Sequence, residues 1–318
     1  MKHIDVHHHF LPDFWREAVA QAGFTEVDGA PLPTWNPALM MAMLDEREIG
    51  AALLSIPPPG VRLGDDAATA KLARRCNEYA ADLVRENRCR LGALGALPLP
   101  DVDATLEEIA YADEVLNLDG IALTSNVAGR YLGDPAFEPV FAELNRRRAV
   151  VFLHPVAPPA DPAPGLGLPA WFGEYVFDTT RCLAQLAVRG TLSRYRDIRV
   201  IVAHAGGTAP FIVNRLTNLW RITPGTHESG AEEPVAMLRR LYYDTASCGL
   251  GHGLRLVRDL AGANRVLVGS DFPLVPAHST TALTERMTDP AFLGVPVDTL
   301  RENALRLFPR LRLEPDWI

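Results

Sequence analysis

Stretches such as Val150-Val151-Phe152-Leu153 and Val200-Ile201-Val202-Ala203 carry no polar side chain on either face. A strand of that kind has to be covered on both sides, the pattern of parallel sheet wrapped by helices; an antiparallel strand with one wet face would alternate. Eight short runs of β-branched or aliphatic residues recur, at 4–9, 51–56, 91–97, 120–124, 150–154, 200–204, 241–245 and 266–271, several of them apolar at consecutive positions. Between them lie segments with helical periodicity, among them 66–86, 102–116, 135–147, 177–195 and 209–220. Strand then helix, eight times over 318 residues, predicts an α/β chain folded as one (β/α)8 barrel domain, 1–318. A doubly wound open sheet is the rival. No GxGxxG opens a helix after the first strand, and His204-Ala205-Gly206-Gly207 has neither dinucleotide spacing nor a P-loop lysine.

Composition narrows the partners. Thirty-one Lys+Arg against 39 Asp+Glu give a net charge of −8, and no basic cluster is interleaved with aromatics, which argues against a nucleic-acid partner. Cys76, Cys89, Cys182 and Cys248 form no C-x-x-C pair, so a reducing cytoplasm is expected. No window approaches ~18 apolar residues, and Asp5 and the histidines interrupt the first segment, so neither a membrane span nor a signal peptide is expected. Two loops rich in Pro and Gly, 57–61 and 155–169, follow the second and fifth strands. In a barrel that places both on the C-terminal rim, where active sites form, the second as a lid or wall.

The polar residues inside the apolar runs cluster at one end of them. His7 and His9 close the first run, His154 the fifth, His204 the sixth and Asp271 the eighth. Residues two apart in a strand share a face, so His7 and His9 project together. A lone strand-end histidine is more often a hydrogen-bonded structural residue than a ligand. Four such coincidences at four strand ends reverse that expectation, because a divalent cation would stabilise buried imidazoles and a carboxylate together. His7, His9, His154 and Asp271 are therefore the expected ligands of one divalent metal ion, and His204 an acid or base beside it. His3, His227, His252 and His278 fall before a strand end or in loops and are read as non-functional.

Four segments carry a resemblance as an ordered set: Ile4-Asp5-Val6-His7-His8-His9-Phe10-Leu11-Pro12, Val151-Phe152-Leu153-His154-Pro155, His204-Ala205-Gly206-Gly207 and Gly269-Ser270-Asp271-Phe272-Pro273. Over nearly the whole chain the sequence resembles the amidohydrolase superfamily, in the branch of aminocarboxymuconate semialdehyde decarboxylase. Ser55-Ile56-Pro57-Pro58-Pro59-Gly60-Val61 and Cys76-Asn77-Glu78-Tyr79 look like its methylsalicylate decarboxylase-type members. The resemblance implies a distorted (β/α)8 TIM barrel holding one divalent ion, zinc with manganese as the alternative, on His7, His9, His154 and Asp271. It also implies that Arg215 reaches a neighbouring subunit's site to hold a substrate carboxylate, hence a homodimer. The branch's other substrate arginine has no counterpart in 31–44, where Trp35, Asn36 and methionines stand instead. A monocarboxylated phenol, contacted by Trp35, Trp171 or Phe272, fits that less cationic pocket.

The expected activity is nonoxidative decarboxylation of a salicylate-like acid, with Asp271 as proton donor and His204 orienting it or relaying the proton. Metal-dependent hydrolysis of an amide or lactone is the alternative on the same residues, and a noncatalytic barrel with a structural or stored metal the third.

Overall fold

The computed structural model describes residues 3–24, 26–27, 30–158, 168–223, 225–247, 251–275 and 295–312. Cys248 and the greater part of the 155–169 loop lie outside the described residues. The strands are β1 (His3–His9), β2 (Ile49–Ser55), β3 (Leu91–Ala96), β4 (Gly120–Thr124), the hairpin pair β5 (Asn126–Val127) and β6 (Arg130–Tyr131), β7 (Val150–His154), β8 (Arg199–Val202), β9 (Tyr242–Asp244) and β10 (Val266–Leu267). The helices are α1 (Asp13–Gln21), α2 (Pro37–Glu46), α3 (Asp66–Glu86), α4 (Val102–Glu114), α5 (Glu138–Arg146), α6 (Ala170–Val188), α7 (Thr191–Arg194), α8 (Ala209–Ile222), α9 (Pro234–Arg240), α10 (His252–Ala261) and α11 (Val297–Leu307).

Eight strands form one parallel sheet in the order β1-β2-β3-β4-β7-β8-β9-β10. It closes on itself through parallel bridges Asp5↔Val268 and His8↔Phe272, with Val6 N–H donating to Val268 O at 2.8 Å and His9 N–H to Phe272 O at 2.7 Å. The (β/α)8 barrel read from the runs is the observed fold. Strands β1, β2 and β7 are buried at every position, the reason they carry apolar side chains on both faces. The helices begin where capping chemistry allows. Asp65 and Asp101 accept from Ala68 N and Ala104 N, and Asn36, followed by Pro37 at the first helical turn, accepts from Leu39 N.

Two expectations are corrected. The helix expected over 177–195 starts earlier, at Ala170, and breaks into α6 and α7 at Gly190, whose φ is +61° and whose missing Cβ would lie 3.0 Å from that of Ala231. The strand expected over 266–271 ends as regular ladder at Leu267. Gly269 explains that irregularity. A Cβ there would lie 2.8 Å from the His7 Cβ and 3.1 Å from the Asp244 Cβ, so the chain after β10 passes flush against both functional strands.

Candidate metal centre and substrate pocket

Buried Asp5 fastens β1 to this closing segment. Its Oδ1 accepts from His7 N (3.1 Å) and Ser270 N (3.0 Å), and its Oδ2 from the Ser270 hydroxyl (2.6 Å). With Asp271 N–H donating to His7 O at 2.8 Å, Asp271, at a φ of +60°, is turned toward the ends of β1 and β7. After β8 the chain turns through four consecutive left-handed residues, His204, Ala205, Gly206 and Gly207, with φ of 54°, 53°, 77° and 63°. Both glycines are sterically required: a Cβ on Gly206 would lie 2.6 Å from the Tyr243 ring and one on Gly207 2.2 Å from Val176 O. The strained turn brings the His204 ring to 5.0 Å from the His7 ring and 5.4 Å from that of His154.

His7, His9, His154 and Asp271 thus converge, all buried, with one ligand-type atom of each lying within 4.8 Å of the others. The two Nε2 atoms of His7 and His9 are 3.1 Å apart, and Asp271 Oδ1 is 3.2 Å from each. The opposite nitrogen of every histidine faces an acceptor. His7 Nδ1 lies 2.7 Å from Asp244 Oδ2, and His9 Nδ1 lies 3.3 Å from Ser55 O and 3.1 Å from its hydroxyl. His154 Nδ1 is 2.6 Å from Pro155 O, and His204 Nδ1 is 3.0 Å from Ala246 O. Carbonyls and a carboxylate only accept, so each Nδ1 carries the proton and each Nε2 lone pair is left toward the cluster.

At the centre, His154 Nε2 and Asp271 Oδ1 are buried without a hydrogen bond. Buried polar atoms are seldom left so, and a set of inward nitrogen lone pairs with a carboxylate oxygen is the donor set of a divalent transition ion. The electrostatics ask for positive charge at the same point. Burial opposes a charge on His7, yet the Asp244 and Asp271 carboxylates outweigh it and raise its pKa to about 10. Burial lowers His9, and burial reinforced by the neighbouring histidines holds His154 well below the usual range. Burial works against a charged Asp271, but His7 and His9 keep it well below the ordinary carboxylate value. His8, between the two ligand positions, turns away, with Nδ1 2.9 Å from Asp5 Oδ2 and its ring 4.9 Å from that of Phe272.

Beside the cluster a pocket is lined by Ser55, Arg62, Leu97, Thr124, Phe152 and His154 among others. The 57–61 loop forms one wall, as its place after β2 implied. Trp35 and Phe272 do not line this pocket. Both are buried in the apolar cluster around α1–α3, Trp35 with its ring 6.4 Å from that of Phe10. Trp171 is half exposed at the start of α6. Arg215 lies exposed on α8 and makes no ion pair among the described residues.

Two side chains at the site escaped the sequence reading. Asp244 carried a usable signal, a charge in an apolar run at a strand end, the same signal that singled out Asp271. Arg62, hydrogen-bonded to Asp66 at 2.8 Å, stands just past the 57–61 loop and nothing in its neighbours marked it.

The amidohydrolase family model matches residues 4–310. The chain is 36% identical over 319 residues to the 6-methylsalicylic acid decarboxylase acuB of Aspergillus aculeatus, covering 97% of this chain and 96% of that one. Among solved structures it is similar to an amidohydrolase II at 27% identity and a TM-score of 0.90, over 97% of this chain and 100% of the other. Its fold also matches a dihydroxybenzoic acid decarboxylase from a Polaromonas species that holds manganese and 2-nitroresorcinol, at 21% identity and a TM-score of 0.78, over 98% of each.

Proposed function

Because the chain belongs to the amidohydrolase family, we propose that it is a metal-dependent, nonoxidative decarboxylase of a hydroxylated aromatic carboxylic acid. The observation that carries the reading is the set of Nδ1 atoms anchored outward while His154 Nε2 and Asp271 Oδ1 are left without a hydrogen bond at a buried centre. His7, His9, His154 and Asp271 would hold one divalent ion, zinc with manganese as the alternative. When bound, that ion supplies concentrated positive charge that favours an anionic substrate in a low-dielectric cleft.

The protein's own groups then have distinct tasks. The pocket wall of Leu97 and Phe152 receives the ring and excludes water, and Arg62 at the same wall offers a cationic group to an acidic substituent. Asp271, ionised in the free site, takes up a proton once the anionic substrate is bound beside it and adds that proton to the ring carbon that bears the carboxylate. The carbon–carbon bond then breaks, its electron pair returns to the ring, and CO2 leaves. Asp271 Oδ2, 3.5 Å from the Ser247 hydroxyl and away from the crowded Oδ1, is the oxygen suited to carry that proton. His204, its Nδ1 held by Ala246 O, orients the carboxyl group or relays a proton to it.

Arg215 serves a carboxylate in the neighbouring subunit of a homodimer. Phe211 and Ile222, four residues before and seven after it on α8, are exposed apolar side chains, as are Phe172 and Phe177 on α6, and they support a protein-covered face. A cytoplasmic location agrees with unpaired Cys76, Cys89 and Cys182. Among the described residues no helix is long and apolar enough to cross a membrane. Residues 1–318 act as one catalytic domain.

The test is NMR of metal-quantified protein in D2O with 6-methylsalicylate and other ortho-hydroxybenzoates. CO2 release with deuterium at the vacated ring carbon is expected. A metal-loaded protein that consumes amide or lactone substrates and leaves every hydroxybenzoate intact would replace this reading with hydrolysis.

A further inference from the structure

One carboxylate touches both kinds of histidine in the site without being among the four converging ligands. Asp244, fully buried at the end of β9, accepts at Oδ2 from His7 Nδ1 (2.7 Å). At Oδ1 it accepts from the backbone N–H of His204 (2.8 Å) and of Ala246 (3.0 Å). The same short segment supplies Ala246 O to His204 Nδ1 (3.0 Å) and the Thr245 hydroxyl to Gly269 N (3.1 Å). Three N–H donors from three places in the chain therefore meet on one side chain.

We propose that Asp244 is a positioning residue that couples the two functions of the site, fixing His7 in the tautomer that turns its Nε2 lone pair to the metal while holding the strained His204 turn in place. Only a carboxylate can do both. An asparagine offers one accepting oxygen and one NH2 group, so it cannot receive three N–H donors in either orientation. With its oxygen kept on the His204 and Ala246 amides, its NH2 faces His7 Nδ1. That nitrogen must then carry the lone pair, and the proton moves to Nε2, where it blocks the inward position. Partners of this kind on metal-binding histidines are worth roughly 10–100-fold in metal affinity. The His204 turn adds a second demand, since left-handed φ at His204 and Ala205 persists only where the surroundings enforce it.

The inference rests on the metal reading above, and the experiment separates the two. Zinc affinity is measured by chelator competition on wild type, Asp244→Asn and His9→Ala, with circular dichroism to follow folding. Wild type is expected to bind one zinc, His9→Ala to lose it, and Asp244→Asn to fold but bind about 10–100-fold more weakly. In zinc-loaded wild type labelled with 15N-histidine, His7 is expected to show a downfield Nδ1 proton, which needs no variant to fold. Zinc binding by Asp244→Asn as tight as wild type, or the absence of that proton, would overturn this inference alone. A wild type that binds no stoichiometric metal would overturn the metal reading and this inference with it.

Discussion

The end of β9 and the segment after β10 each bring a buried carboxylate to His7, and they treat it in opposite ways. Asp244 sits on regular backbone with three N–H donors on its two oxygens. Asp271 sits at a left-handed φ beyond a glycine, and its inward oxygen has no hydrogen bond at all. A carboxylate whose acceptors are filled holds its neighbours still. One left short of donors in a buried site is free to bind a cation or carry a proton, and the cost of leaving it so, about 1–3 kcal/mol, marks where chemistry is built.

The comparison breaks first at Asp271. Asp271→Asn keeps the shape and removes the charge and the proton, so kcat is expected to fall by about 10²–10⁴-fold with the circular dichroism spectrum unchanged. Steady-state assay of CO2 release checks it, and near-normal turnover would end the assigned role.

Gly269→Ala tests whether the two carboxylate segments must touch. The added Cβ meets backbone-anchored Cβ atoms at 2.8 and 3.1 Å, and overpacking of this kind costs about 1–3 kcal/mol. Chemical denaturation should show that loss. An unshifted midpoint would mean the strands can part without penalty.

Ser55→Ala probes a histidine anchor with a spare. Its hydroxyl is lost to His9 Nδ1, but the backbone oxygen of residue 55 at 3.3 Å remains. Zinc affinity is expected to change only about two- to threefold, well under the Asp244→Asn effect, because the hydrogen-bond partner that sets the tautomer survives.

The smallest effect belongs to a carboxylate far from the site. Arg146 hydrogen-bonds Glu143 and, with Arg147 and against partial burial, holds its pKa down to about 2 from 4.5. A depressed folded-state value stabilises above the unfolded one. The stability gap between wild type and Glu143→Gln should therefore be complete above about pH 4.5 and close as pH falls toward 2. It should also be small, since Arg146 is exposed and the cluster lies at the protein surface, where salt screens it. Thermal melts across that window measure it.

How legible all this was varies residue by residue. The β7 run was read to the residue, because five consecutive buried positions leave a contiguous apolar signal. The β10 run was overextended, because the break at Gly269 depends on His7 and Asp244 pressing against it from other strands. Trp35, in the segment that lacks the branch's second arginine, and Phe272, beside Asp271, were read as ring contacts. Packing against Phe10 and its neighbours buries both, and the pocket beside His154 falls instead to Arg62, Leu97 and the 57–61 loop.

By itself the sequence determined the strand–helix alternation and the projection of His7 and His9 to one side, since both follow from side-chain periodicity along a local segment. It also set His154 at the end of a strand and His204 and Asp271 a few residues beyond one, where closure of a parallel barrel gathers them. Only the tertiary structure decided which nitrogen of each histidine faces inward. That choice is made by acceptors as remote as Asp244, 237 residues from His7, and a proton's place on an imidazole depends on what lies across space from it.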